Sequence, residues 1–300
     1  MRPWETERPL TPELARHLIA DQFPALAPRS MELLGRGWDN TAFLIDRTVV
    51  FRFPRKPGAV DLLETEARVL PRLARRLPLP IPTPEWRGEP TELFPWPFLG
   101  YRLIAGQPAC SVPLSRAQRC RIAPMIAEFL AQLHALSISD LALAGDSLDR
   151  GNFVKRMPLI VERLDALHAR GTIQETKPWL DLFAGLHAPE SDRARAVVHG
   201  DLYACHLLVD SSYRLSGVID WGDLHAGDPG IDLMTLYAFV PSEARSEFLQ
   251  VYGQVDASTQ STARLRAAFH AISVAWYGTE LGDSGLTREG RAGMEFVLEA

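Results

Sequence analysis

The sequence predicts an α+β fold in which a small antiparallel sheet is followed by a larger, mainly helical part. Three observations carry this prediction. Residues 31–53 alternate between strand-forming runs and glycine turns. Residues 115–136, and most segments after them, place apolar residues at helical spacing. Between residues 197 and 232, short β-branched runs end in polar side chains, which is where chemistry would be held rigidly yet open to a cleft.

Length and composition indicate an ordinary globular protein. Three hundred residues suffice for one large domain or two smaller ones. Apolar residues make up 46 % and charged residues 23 % of the chain, which argues against disorder. The net charge of −5 argues against a nucleic-acid binder, which would need a basic face. This charge is compatible with a cationic small-molecule partner.

The cysteines and the start of the chain predict a cytoplasmic protein. Cys110, Cys120 and Cys205 are odd in number and lack metal-binding spacing, so we expect three reduced thiols. The first residues lack the apolar segment of a secretory signal. No apolar run approaches the length of a membrane span, and we therefore expect no membrane partner.

The first elements predict a helix and a three-stranded meander. Thr11 followed by proline and glutamate is a helix start. Gly35 and Gly37 lie at the tip of the first predicted hairpin, where glycine lets backbone N–H groups approach a phosphate. Ordinary turn residues are the competing interpretation. The third strand carries Arg52 among apolar neighbours.

A predicted helix over residues 59–77 places Glu66 on its apolar side. A buried carboxylate needs a partner, and Arg52 on the preceding strand is the candidate. In the competing interpretation, Glu66 lies in water at the edge of the apolar stripe. Glu64 is the second candidate for the partner of Arg52.

The proline-rich stretch 77–84 predicts an extended connector to a strand pair that ends near residue 104. Glycine and proline at 106 and 108 then break the strand, so we divide the chain into domains 1–104 and 105–300. Further helices are predicted over residues 115–136, 153–168, 173–186, 231–240, 242–252, 261–277 and 286–300.

The stretch from Val197 to Asp232 contains the candidate catalytic residues. The sequence His-Gly-Asp at 199–201 follows a buried strand, and His206 comes five positions after Asp201. A second motif, Ile-Asp-Trp, contains Asp220. Two carboxylates close together repel each other unless a cation shares them, and oxygen ligands favour Mg²⁺. We expect His199 to be structural, and Asp232 to cap a helix or to bind loop backbone.

These motifs resemble the aminoglycoside phosphotransferase-like family, which has a two-lobed protein-kinase-like fold. The resemblance extends to Leu-Gly-Arg-Gly-Trp-Asp-Asn at 34–40 and Val-Phe-Arg-Phe-Pro-Arg at 50–55, and it covers most of the chain. It implies that domain 1–104 binds nucleotide and that 105–300 holds the catalytic loop and the acceptor. It implies that Asp201 is the catalytic base and that His206 and Asp220 bind Mg²⁺. It also implies that Gly35, Gly37 and Arg52 contact the phosphates of the nucleotide, and that Glu66 is the partner of Arg52. The backbone around Arg102 and Ile104 would contact the nucleobase.

Two positions depart from the commonest family pattern. His206 stands where most members have asparagine, although the macrolide phosphotransferase branch also has histidine there. Imidazole is a softer ligand than an amide oxygen, so the substitution bears on metal affinity. Arg52 stands where many members have lysine, and arginine can hold phosphate in a bidentate manner.

The resemblance implies an ATP- or GTP-dependent phosphotransferase acting on a hydroxyl group of a small molecule. An aminoglycoside-type antibiotic is the expected acceptor, with Asp223 and Asp228 as candidate contacts. A solvated loop carboxylate at Asp223 and a turn residue at Asp228 are the competing interpretations. The alternatives are a macrolide or small-metabolite kinase, a nucleotide-binding protein that transfers no phosphate, and a metal-dependent phosphate-ester hydrolase.

Overall fold

The computed structural model describes residues 10–26, 28–185 and 196–299. These residues form two compact units. The smaller unit contains the described residues up to 76, residues 80–104 and residues 220–222; the larger unit contains residues 77–79, 105–219 and 223 onwards. Residues 1–9, on which the expectation about a secretory signal rests, lie outside the described residues.

The smaller unit is built on one five-stranded antiparallel sheet. Its strands are β1 (Met31–Arg36), β2 (Asn40–Ile45), β3 (Val49–Pro54), β4 (Pro84–Gly88) and β5 (Phe98–Arg102), in the order β1-β2-β3-β5-β4. The predicted meander and hairpin are therefore both present. Strand β3 is buried along its whole length, which explains its nearly continuous apolar sequence.

Two helices accompany this sheet, α1 (Pro12–Gln22) and α2 (Gly58–Leu73). As predicted, Thr11 caps α1 by accepting a hydrogen bond from the Leu14 backbone N–H at 3.2 Å. Aromatic side chains fill the core, with the rings of Phe53 and Phe98 stacked 4.4 Å apart. This packing holds β3 firmly, so the backbone from which the Arg52 side chain extends has a fixed position.

The larger unit is mainly helical and carries short strands that support the motif stretch. Its helices are α3 (Arg116–His134), α4 (Ile138–Leu141), α5 (Phe153–Ala169), α6 (Lys177–Gly185), α7 (Gly230–Ala238), α8 (Arg245–Tyr252), α9 (Ala257–Leu281) and α10 (Ser284–Leu298). Its strands are β6 (Gln107–Pro108), β7 (Ala196–Val198), β8 (Leu207–Val209), β9 (Leu215–Val218) and β10 (His225–Gly227). The predicted α+β class is thus confirmed.

Helix α9 is longer than the predicted 261–277 because both of its ends are stabilised locally. The side chain of Asp256 caps the first turn, and Gly282 ends the helix in the left-handed conformation. Helix α9 packs against α5, α7 and α10, so it runs through the centre of this unit.

The other helices lie close to their predicted positions. Helix α6 begins four residues later than predicted, and the predicted last residue, Leu186, lies outside the described residues. Ala300, the predicted end of the last helix, does too. None of the helices in the described part of the chain has the length and apolar character that crossing a membrane requires.

Candidate functional site

The loop between β7 and β8 is fixed by a buried carboxylate from α7. Asp232 accepts hydrogen bonds from the backbone N–H groups of His199 at 2.7 Å and Gly200 at 2.9 Å. The ring of His134 contacts the same carboxylate at 3.2 Å. Burial by itself raises the pKa of Asp232, but the hydrogen bond from His134 and the other donors keep it below its usual value. Asp232 therefore binds loop backbone, as one of its two predicted interpretations has it.

His199 is fully buried and holds the loop from the other side. Its Nε2–H donates to the carbonyl oxygen of Ile219 at 3.0 Å, and its Nδ1 accepts from the backbone N–H of Asp201 at 3.3 Å. These two bonds require the neutral tautomer with the proton on Nε2. Burial lowers the pKa of His199, which keeps that tautomer. The predicted structural role of His199 is confirmed.

Gly200 is required for two independent reasons. Its φ of 89° lies in the region that side-chain-bearing residues rarely adopt. A Cβ at this position would also lie 2.2 Å from the carbonyl oxygen of Asp223. The glycine therefore allows two backbone segments to approach closely and sets the direction in which the chain enters Asp201.

Asp201 emerges from this fixed loop with a partly exposed carboxylate. Its side chain is 29 % exposed. Oδ1 lies 3.6 Å from a guanidinium nitrogen of Arg266 on α9, and Oδ2 lies 3.8 Å from Nδ1 of His206. A positioned carboxylate of this kind can accept a proton from a hydroxyl group.

His206 forms a hydrogen bond within its own loop and packs edge-to-face against an aromatic neighbour. Its Nδ1–H donates to the backbone carbonyl oxygen of Asp201 at 2.8 Å. Because a carbonyl oxygen can only accept, the proton is on Nδ1 and the neutral ring keeps a lone pair on Nε2. The ring of Tyr203 lies between those of His206 and His270, with centroid distances of 4.4 and 4.5 Å.

In the smaller unit, Arg52 forms a buried ion-pair network. Its Nη1 lies 2.6 Å from Oε2 of Glu66 and its Nη2 lies 3.1 Å from Oδ1 of Asp220. The predicted Arg52–Glu66 pair is confirmed, and Glu64 instead pairs with Arg87 at the surface. Burial alone would lower the pKa of Arg52, but the two carboxylates raise it above its usual value.

Asp220 lies just past the end of strand β9, in agreement with the prediction that the polar residues follow the short strands. Its φ of 61° is left-handed, which costs about 1 kcal/mol for a residue with a side chain. The side chain remains 51 % exposed although it contacts Arg52. The backbone turn therefore points a carboxylate out of an otherwise buried segment.

The two predicted phosphate-loop glycines have ordinary backbone angles and open surroundings. A Cβ at Gly35 would meet nothing within 4 Å, and one at Gly37 would meet only the Asn40 carbonyl oxygen, at 3.7 Å. The fold therefore does not require glycine at either position. Their predicted role in approaching a phosphate stays a prediction that this openness supports.

The remaining predicted contacts have defined surroundings. Arg102 ends β5, where its Nε lies 3.1 Å from Glu85, and Ile104 is the last residue of the smaller unit in this part of the chain. Asp223 is in an ion pair with the buried Arg150 at 2.5 Å. Asp228 accepts from the Gly230 backbone N–H at 2.8 Å. The nucleotide and acceptor roles predicted for these residues stay predictions.

Two groups that interact with Asp201, the side chains of Arg266 and His270, were not found from the sequence. Arg266 and His270 lie on α9, with Thr262 one turn earlier, at a spacing of four residues. A row of polar residues at that spacing on an otherwise buried helix is a signal that the sequence does contain. Nothing in the sequence indicates which loop this row faces, because the contact joins segments 65 residues apart.

The expectation of three reduced thiols is wrong for two of the cysteines. Cys110 and Cys205 form a disulfide, and Cys120 is the free thiol. The bond links residues 95 positions apart and joins the segment after β6 to the loop that carries Asp201. The backbone N–H of Cys110 also donates to the Ala204 carbonyl oxygen at 3.2 Å. The sequence could not show the pairing because it depends on tertiary contact.

Replacing Cys110 and Cys205 together by serine is expected to lower the free energy of unfolding by about 2–4 kcal/mol, because the bond restricts the unfolded chain. Denaturant unfolding without reductant measures this, with Cys120→Ser as the control. Titration of the unfolded, unreduced wild type should find one thiol. Three thiols would contradict the disulfide.

Comparison with known proteins agrees with this architecture. The model of the phosphotransferase enzyme family matches residues 30–270. Viomycin phosphotransferase from Streptomyces vinaceus is 29 % identical over 254 residues, which cover 80 % of this chain and 82 % of that protein. The uncharacterized protein YcbJ from Bacillus subtilis (strain 168) is 24 % identical over 264 residues, covering 84 % and 81 % respectively.

Solved structures show the same fold over nearly the whole chain. The GDP and kanamycin complex of APH(2")-IIia is 25 % identical, with a TM-score of 0.63, and the match covers 95 % of this chain and 97 % of that one. The apoenzyme of a macrolide 2'-phosphotransferase from Brachybacterium faecium is 20 % identical, with a TM-score of 0.58, covering 88 % and 92 %. Because the family model spans most of its length, this chain belongs to the phosphotransferase enzyme family.

Proposed function

We propose that this phosphotransferase moves the γ-phosphate of ATP or GTP to a hydroxyl group of a small molecule. The observation that carries the proposal is the fixed position of Asp201. Asp232 and His199 hold the backbone on both sides of it, and its carboxylate is still partly exposed. A rigid carboxylate can orient the acceptor hydroxyl for in-line attack without reorganising during the reaction.

In the proposed reaction, Asp201 accepts the proton of the acceptor hydroxyl. The hydroxyl oxygen forms a bond to the γ-phosphorus, and the bond from that phosphorus to the β–γ bridging oxygen breaks. The nucleoside diphosphate leaves with the electron pair of that bond. The guanidinium of Arg266, 3.6 Å from Oδ1 of Asp201, would help to hold that carboxylate in place.

Arg52 is the proposed phosphate-binding cation. It is buried, and Glu66 fixes its direction, so little side-chain entropy is lost when it binds a phosphate. The open space at Gly35 and Gly37 supports backbone contact with the same phosphates. Solved relatives include complexes with GDP and with ATP, which supports a nucleotide donor of either kind.

Mg²⁺ is the proposed metal, with His206 and Asp220 as its protein ligands. Among the residues that the structure describes, no three His, Cys, Asp or Glu side chains are grouped so that they could hold a metal. A two-ligand set suits Mg²⁺, which keeps several waters and binds substrate phosphates. The Nδ1–H of His206 donates to a carbonyl oxygen, the arrangement that orients metal-binding histidines. Bound Mg²⁺ would neutralise charge on the phosphates.

The expected acceptor, an aminoglycoside-type antibiotic, has support from relatives. One solved structure contains the aminoglycoside kanamycin, and a viomycin phosphotransferase among the relatives supports an antibiotic acceptor in a wider sense. Such polycations need carboxylates around the catalytic base. Asp223 and Asp228 remain the candidates, but Asp223 already pairs with Arg150. Macrolides and small metabolites are the alternatives.

The proposal is tested by measuring Mg²⁺-dependent nucleotide consumption with ATP and GTP over a panel of hydroxyl compounds. The panel should contain aminoglycosides, viomycin, macrolides, sugars, hydroxy acids and amino alcohols. We expect one class to stimulate turnover at least tenfold over the rate without acceptor. Mass spectrometry should show one added phosphate on that compound.

A non-catalytic nucleotide-binding protein would give a different result. It would be stabilised thermally by Mg·ATP or Mg·GTP, yet no acceptor would increase nucleotide consumption. Such an outcome would contradict the proposed transfer. Phosphate release without any nucleotide would instead favour the hydrolase alternative.

A further inference from the structure

Three arginines surround one aromatic ring in the larger unit. Arg156 and Arg163 lie on α5, seven residues apart on one face, and Arg266 lies on α9. Their guanidinium carbons are 5.3, 5.5 and 5.8 Å from the centroid of the Phe269 ring. We refer to Arg156, Arg163 and Arg266 as the arginine cluster.

Two members of the arginine cluster, Arg156 and Arg163, form no ion pair with a carboxylate of the described residues. Arg156 donates to the carbonyl oxygens of Leu148 and Asp149 at 3.0 and 3.2 Å. Arg163 donates to the hydroxyl of Ser273 and lies over the Trp276 ring. These partners position the guanidinium groups but carry no negative charge.

Nearby Arg150 provides an internal comparison. Its guanidinium forms ion pairs with two carboxylates, those of Asp146 and Asp223. Among the described residues, the arginine cluster forms one ion pair, between Arg266 and Asp201 at 3.6 Å. Other carboxylates act on the arginine cluster only from outside ion-pair distance, and the carboxylate in this one ion pair is the proposed catalytic base.

The arginine cluster also contains buried hydrogen-bond donors that have no acceptor among the described residues. They are the Nε atoms of Arg156, Arg163 and Arg266. Nε2 of His270, one turn after Arg266, is also buried without a hydrogen-bond partner among the described residues. Arg266 is only 6 % exposed. Burying a donor without an acceptor is unfavourable, so these arginine donors are suited to an acceptor from a ligand.

The electrostatics of the arginine cluster also favour binding of a negatively charged ligand. Burial lowers the pKa values of Arg156, Arg163 and Arg266 below the usual arginine value. Burial, with repulsion from Arg266 among the smaller causes, lowers the pKa of His270 to about 4, which leaves that ring neutral at pH 7. Each guanidinium would thus be stabilised by a negative charge brought by a ligand.

We propose that the arginine cluster binds an anionic group, a carboxylate or a phosphate, that the acceptor carries in addition to its reactive hydroxyl. Arg266 contacts Asp201, so an anion held by the arginine cluster would place the rest of the acceptor beside the base. That the bound anion belongs to the acceptor rests on the proposed transfer function. It predicts that hydroxy acids or phosphorylated polyols are preferred over polycationic aminoglycosides.

The first test measures the binding of inorganic phosphate by calorimetry, with nucleotide absent. Arg163→Gln should weaken binding by at least about tenfold, because a charge-assisted hydrogen bond to the phosphate is lost. Arg163→Lys keeps the charge and should retain most of the affinity. Arg170→Gln is the matched control, since Arg170 follows α5 and pairs with Glu280 outside the arginine cluster. Arg52→Gln controls for phosphate binding in the smaller unit.

Folding of each variant is checked by its thermal midpoint, and Arg156→Gln repeats the test if Arg163→Gln does not fold. Phosphate affinity that is the same in wild type and in both glutamine variants would overturn the proposal. This result does not require turnover, so it is independent of whether the transfer function is correct.

The second test uses matched acceptors in the nucleotide-consumption assay: a polyol, the corresponding sugar acid, the corresponding sugar phosphate, and kanamycin. The acid or the phosphate should have a KM at least tenfold lower than the polyol, and Arg163→Gln should remove that difference with kcat nearly unchanged. The better of the two identifies the anion. Turnover that is highest with kanamycin and unaffected by Arg163→Gln would overturn the anionic acceptor while supporting phosphate transfer.

Discussion

Replacing Asp201 by asparagine is expected to lower acceptor-dependent phosphate transfer by about a thousandfold, within the range of 10²–10⁴ that a general base supplies. Asparagine has nearly the same shape, so the loop held by Asp232 and His199 should be preserved. The asparagine side chain can no longer accept the hydroxyl proton, and kcat should therefore be lowered. The measurement is steady-state turnover with the best acceptor and its preferred nucleotide.

Nucleotide affinity should change less than about twofold in this variant, because the proposed phosphate contacts belong to Arg52 and the glycine hairpin. Asp181→Asn is the matched control, since Asp181 is an exposed carboxylate on α6 that pairs with Lys177. It should transfer phosphate at the wild-type rate. An Asp201→Asn variant with near wild-type turnover would remove Asp201 from the role of base.

Replacing Glu289 by alanine is expected to lower the free energy of unfolding by about 3–5 kcal/mol, because it leaves a buried guanidinium unpaired. Glu289 on α10 accepts two hydrogen bonds from Arg119 on α3, at 2.8 and 2.6 Å. Both side chains are nearly inaccessible, at 3 % and 6 % exposure. The Arg119 guanidinium also lies 4.6 Å from the Phe239 ring centroid, which cannot replace a carboxylate.

Denaturant unfolding measures this loss, and two further variants separate its causes. The double variant Arg119→Met with Glu289→Leu should recover most of the stability, since it removes both charges and keeps the volume. Glu243→Gln is the exposed control. Glu243 pairs with Arg116, and such pairs are worth at most about 1 kcal/mol. Equal losses in Glu289→Ala and Glu243→Gln would show that burial of the pair is unimportant.

Much of the candidate site could be predicted from the sequence because its residues lie in short contiguous motifs. His199, Asp201 and His206 are close in sequence, and the strand before them is marked by its apolar residues. The Arg52–Glu66 pair was also predictable, because one strand and the following helix carry both partners and a buried charge demands a partner. The fold class followed from the change from strand-like to helical spacing.

Other contacts join segments that the sequence does not relate. Asp232 reaches back 33 residues to fix His199, and Arg119 meets Glu289 across 170 residues. The Cys110–Cys205 disulfide and the contact of Arg266 with Asp201 are of the same kind. The sequence shows that these residues are polar or reactive, but not which of them meet.

The sequence by itself determined the order of the elements, the caps of helices such as α1, and the identity of the loop that carries Asp201. These depend on local backbone preferences and on apolar spacing, which neighbouring residues specify. Only the tertiary structure decided which charges are compensated. Arg150 has two carboxylate partners, whereas Arg156 and Arg163 have none among the described residues. Whether a charge is compensated depends on the packing of distant helices, and that packing is a property of the folded chain.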